Sequence, residues 1–105
     1  MTYKEIKEKV LVDEETAIVS LNKATKASSY LMELNLREVL EDFRQKINVY
    51  KVNEREQKHV IDDFQLFSEP SILIFVNGVL RDVIYFPVSK KCLQDKLTAI
   101  FNEQC

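Results

Sequence analysis

With 105 residues, 46% of them hydrophobic and 30% charged, the chain has the length and balance of a single folded domain with a charged surface. A formal net charge of −2, with both signs interspersed, leaves no basic stripe and argues against nucleic acid as a partner. One glycine excludes Gly-rich phosphate loops, and one histidine with two distant cysteines supplies no metal-binding set, so no cofactor is expected.

Thr2-Tyr3-Lys4-Glu5 has the form of a capping box, with Ile6 and Val10 four apart on one face, which predicts a first helix near residues 3–11. Asp13-Glu14-Glu15 reads as a charged loop. The apolar, β-branched run Thr16 to Leu21 predicts a buried strand. Residues 22–26 form a polar connection, and Ser28-Ser29 offer cap hydroxyls for the next helix.

That helix is expected from Tyr30 to Gln45, with Met32, Leu36, Val39, Leu40 and Phe43 at helical spacing and Glu33 four residues before Arg37. Ile47 to Val52 follows as a strand. Asn53 as N-cap, with Glu56 three residues on, predicts another helix whose inward face carries Val60, Ile61 and Phe64. Pro70 opens the next strand. Asn77-Gly78 predicts a type I′ hairpin returning through Val79 to Phe86. Ser89 caps a last helix with Leu93, Leu97, Ile100 and Phe101 inward.

The order α-β-α-β-α-β-β-α implies an α/β fold in one domain, residues 1–105. Its centre is a mixed sheet of about four strands flanked by about four helices. The N-terminus lacks the apolar stretch of a signal peptide and no run is long enough to span a membrane, so a cytoplasmic protein with no membrane partner is expected.

Over roughly residues 17–101 this arrangement resembles the thioredoxin family. The resemblance is carried by the joint spacing of Leu36, Phe43, Lys51-Val52-Asn53, Phe64-Gln65-Leu66, Pro70, Phe75, Asn77-Gly78, Ser89-Lys90 and Leu93. It implies a thioredoxin-like fold and a cis Glu69-Pro70 bond. It also locates what is missing. The two cysteines of the family's Cys-x-x-Cys pair fall at Lys26 and Ser29, and its flanking aromatic residues at Asn22 and Thr25. Its buried acid falls at Ser20 and its groove glycine at Phe86, followed by Pro87. A serine hydroxyl cannot replace a thiolate in disulfide exchange.

The resemblance therefore implies a redox-inactive module, leaning away from an enzyme, that acts as a protein-binding adaptor or chaperone-like domain. The expected partner is a protein or peptide, met by a surface of Thr25, Lys26, Ala27, Ser28, Ser29, Glu69, Pro70 and Phe86. The alternative is a monothiol thiol-disulfide oxidoreductase using Cys92, near position N3 of the last helix, where the helix terminus and adjacent lysines favour a thiolate. A homodimer through Cys105 or the Phe86-Pro87 edge is a third reading. A Cys92–Cys105 bridge within one helix is excluded by length, since thirteen residues of helix span about 20 Å and bridged Cα atoms lie about 5.5 Å apart. Ser28 and Ser29 lack an adjacent base, with the only histidine, His59, on another helix. The acidic pairs Asp62-Asp63 and Glu54/Glu56 read as a solvated face.

Overall fold

A computed structural model describes residues 2–12, 16–22, 27–43, 47–68 and 70–102. The elements follow the expected order. They are α1 (Tyr3–Val12), β1 (Thr16–Leu21), α2 (Ala27–Glu41), β2 (Ile47–Lys51), a 3₁₀ turn (Glu54–Glu56) leading into α3 (Gln57–Phe64), β3 (Ser71–Val76), β4 (Val79–Tyr85) and α4 (Lys90–Asn102).

The four strands form one mixed sheet in the order β2-β1-β3-β4. β1 runs parallel to β2, while β3 is antiparallel to both β1 and β4. β1 is buried at every position because it is central in the sheet and covered on both faces. Alternation along the strands then sorts the core in two. Ile18, Ile72, Ile74 and Ile84 pack with Met32, Leu36 and Val39 of α2 and Leu93, Leu97, Ile100 and Phe101 of α4. Ala17, Val19, Leu21 and Leu73 pack on the opposite side with Tyr3, Ile6 and Val10 of α1 and Val60 of α3.

The register between β3 and β4 shifts once. Ile74 faces Asp82 and Phe75 faces Leu80, so Arg81 is an inserted residue. The bulge changes the parity of β4, and Leu80 and Val83, three apart, both join the α1/α3 side. Beside it, Asp82 Oδ1 accepts the N–H of Val83 at 2.8 Å. Asn77 and Gly78 take φ of 52° and 79°, as the predicted type I′ turn requires.

Several local expectations hold in detail. Glu5 N–H donates to Thr2 Oγ1 at 3.2 Å, closing the first cap. Cys92 N–H donates to Ser89 Oγ at 3.0 Å, closing the last.

Others are corrected. α2 begins at Ala27, so Ser28 and Ser29 lie within its first turn and are not its caps; it ends at Glu41, short of Gln45. Asn53 makes no side-chain cap bond. The Glu56 carboxylate turns away from the local backbone and accepts the N–H of Tyr3 at 2.9 Å, satisfying an orphan donor at the start of α1. Glu33 does not serve a local Arg37 pair as its main partner: Lys51 Nζ lies 2.6 Å from its Oε1. α3 ends on Gln65 in the left-handed region, φ 53° and ψ 48°, with Leu66 N–H donating to Ile61 O at 2.9 Å. The loops at 13–15, 23–26 and 44–46 lie outside the described residues, as does the Glu69 side of the Glu69-Pro70 bond. Among the described residues the cis peptide is Phe86-Pro87.

Candidate functional site

One end of the sheet gathers three of the positions singled out by sequence, Asn22, Pro70 and Phe86. Leu21, the last residue of β1, lies opposite Ser71, the first of β3, and Ser71 lies opposite Tyr85 at the end of β4. Asn22, Pro70 and Phe86 thus extend from three adjacent strands at the same end. Phe86 N–H donates to Pro70 O at 3.0 Å and ties two of these extensions together.

The burial of these residues separates floor from surface. Pro70 is buried. Phe86 is buried too, in the core shared with α2 and α4, so it fills space beneath the site and presents little area to a partner. Ala27 is exposed at the start of α2, and Ser28 and Ser29 follow in its first turn. Thr25, Lys26 and Glu69 lie outside the described residues, as does Cys105.

Beneath this end is a polar cluster drawn from four elements. Asn22 Nδ2 donates to the Glu33 carboxylate, which also holds Lys51. Gln57, buried in the first turn of α3, donates through Nε2 to Asn22 O at 2.8 Å. Ser20, where the resemblance would put a buried acid, donates its hydroxyl to Tyr50 O at 3.4 Å. The Glu33 carboxylate is compensated by Lys51 and by the Asn22 amide, and the Ser20 hydroxyl by a carbonyl. This arrangement ties the ends of β1 and β2 to α2 and α3, and it offers no activated nucleophile. Among the described residues, no group of three His, Cys, Asp or Glu side chains could hold a metal ion.

Cys92 is half-buried. Of its two neighbouring lysines, Lys90 is committed elsewhere: its Nζ lies 2.9 Å from Glu38 Oε2 across the α2/α4 contact. That hydrogen bond and the carboxylate's charge raise the Lys90 pKa above its ordinary value. His59 is exposed on α3, as are Asp62 and Asp63.

The structure adds a residue that sequence reasoning passed over. Phe67, in the short link between α3 and Pro70, is 90% exposed. It is nonetheless held: its N–H donates to Tyr85 Oη at 3.3 Å, and its ring lies 5.8 Å from the Tyr85 ring. A large aromatic residue between Gln65 and Ser68, in a link too short to form its own core, was the available signal. Tyr30 and Leu31, in the first turn and a half of α2, are exposed as well.

Neither protein-family models nor curated proteins yield a match to this chain. Among the described residues no helix is long and apolar enough to cross a membrane.

Proposed function

We propose that the chain is a thioredoxin-like domain without dithiol chemistry that binds a protein or peptide at the sheet end where β1 meets α2. The strand order, with one parallel and two antiparallel neighbours, is compatible with that fold. The observation that carries the binding role is Phe67. An aromatic ring that is exposed yet fixed by a backbone hydrogen bond and a ring contact loses little freedom on contact with a partner, which is the character of an interface anchor. Its place two residues before Glu69 and three before Pro70 joins it to the surface drawn from sequence. The monothiol alternative has less behind it, since one of the two lysines it relies on is paired with Glu38.

Peptides selected from a displayed random library against the pure protein, with affinities measured by fluorescence polarisation, test the binding role. Phe67→Ala should weaken the selected peptides about tenfold or more; Lys26→Glu combined with Glu69→Lys should shift their charge preference. Peptides that bind all variants equally would remove this surface from consideration. In parallel, reduction of insulin disulfides should be absent for wild type and for Cys92→Ser. Activity present in wild type and lost in Cys92→Ser would establish the oxidoreductase reading instead.

A further inference from the structure

On the opposite side of the sheet from α2 and α4, a cleft of about 520 Å³ opens between α1, α3 and the β3–β4 hairpin. Ile6, Val10, Val19 and Leu73 form its floor, and Phe64 and Phe75, edge to face at 5.9 Å, form one wall. Val79, mostly exposed at the hairpin, stands at the rim. Its volume is in the range of small-molecule sites, and among the described residues its lining is apolar apart from Lys7 and Tyr3.

These two polar side chains, Lys7 and Tyr3, are adjacent. Lys7 Nζ sits 4.4 Å from the centre of the Tyr3 ring. Asp63, outside the lining, receives both: Tyr3 Oη donates to its Oδ2 at 2.8 Å, and Lys7 Nζ lies 3.6 Å from the same oxygen. The two contacts differ in strength. The phenol donates a short, well-formed bond. The Lys7 pair is long and about half exposed at both ends, so it contributes little and is readily exchanged. Burial and the Asp63 carboxylate raise the Tyr3 pKa, keeping the phenol neutral and bonded to Asp63. Among the described residues, Lys7 is therefore the charged side chain of the lining that a ligand can engage.

We propose that this cleft binds the aliphatic chain of an anionic amphiphile, a fatty-acid-like carboxylate, with Lys7 at the head group. Water in such a cleft finds few hydrogen-bonding partners, and an alkyl chain displaces it favourably. The charge selects among chains of equal length. A carboxylate can replace Asp63 on the Lys7 ammonium, which neither an alcohol nor a quaternary ammonium can do.

The experiment is calorimetric titration with dodecanoate, 1-dodecanol and dodecyltrimethylammonium, each below its micelle concentration, backed by displacement of an anionic naphthalenesulfonate dye. Dodecanoate should bind one to one and most tightly. Lys7→Gln, a change at an exposed position that leaves the core intact, should weaken dodecanoate about threefold and leave dodecanol unchanged. Asp63→Asn, which frees Lys7, should strengthen it. Val10→Phe should fill the cleft and abolish binding of all three. The proposal is overturned if the anionic and cationic chains bind equally, if Lys7→Gln changes nothing, or if no chain binds. It is equally overturned if sedimentation shows the cleft already closed by a second copy of the chain.

Discussion

The two sides of the sheet are built from the same strands but covered by helices of different length. On one side lie helices of 15 and 13 residues, about 20 Å long each, which match strands of about 20 Å. On the other lie helices of 10 and 8 residues, about 15 and 12 Å long. The long-helix side is joined by apolar contacts such as Phe43 against Phe101 at 4.7 Å. The short-helix side keeps Phe64, Phe75, Leu80 and Val83 only partly buried and anchors α1 through polar bonds to Glu56 and Asp63. Each side keeps a concavity, and the two differ in chemistry: the one between α2 and β2, about 460 Å³, is rimmed by Glu33, Arg37, Glu41 and Lys51, whereas among the described residues the one beside α1 is apolar apart from Lys7 and Tyr3.

The largest expected effect compares the two sides directly. Ile74→Ala, fully buried on the α2/α4 side, should cost about 3 kcal/mol, whereas Leu80→Ala, partly buried at the cleft beside α1, should cost about 1 kcal/mol. Urea unfolding of the two variants gives the difference, and equal costs would mean the sides are packed alike. Next is the anchor of α1. Glu56→Gln should cost about 1 kcal/mol, with faster hydrogen exchange in α1 and unchanged exchange in α4; uniform exchange would show α1 to be held by its apolar face alone.

The smallest effect is a pH dependence. The folded chain retains the Tyr3 phenolic proton above the ordinary value of 10.0, where the unfolded chain releases it. The stability this gives is complete below about pH 10 and falls as pH rises beyond it. The advantage of wild type over Tyr3→Phe should therefore be about 1 kcal/mol at pH 8 and shrink above about pH 10. An advantage that grows in that range would reverse the sign and the explanation.

What could be read from sequence was what is encoded locally. The all-buried Thr16–Leu21 strand, the Asn77-Gly78 turn and the Ser89 cap each depend on a few consecutive residues, and each is where it was expected. The first turn of α2 was missed because serine is tolerated inside a helix start as well as at its cap. The left-handed Gln65 was missed because the usual glycine is absent there. The roles of Glu33 and Glu56 were missed because their partners, Lys51 and Tyr3, come from other elements. Sequence placed Pro70 and Phe86 at the same sheet end, but their burial, the exposure of Phe67 and the existence of the cleft are products of tertiary packing.

The Arg81 bulge has a consequence for assembly. β4 is an edge strand, and a flat edge of unpaired backbone groups invites the strand of another molecule. Here the inserted residue interrupts the ladder, Asp82 occupies the Val83 N–H that a newcomer could use, and Pro87, just past the strand, has no N–H to give. The sheet is thereby discouraged from growing past four strands along β4, and the chain can keep an open apolar cleft beside that edge with less risk of edge-to-edge aggregation.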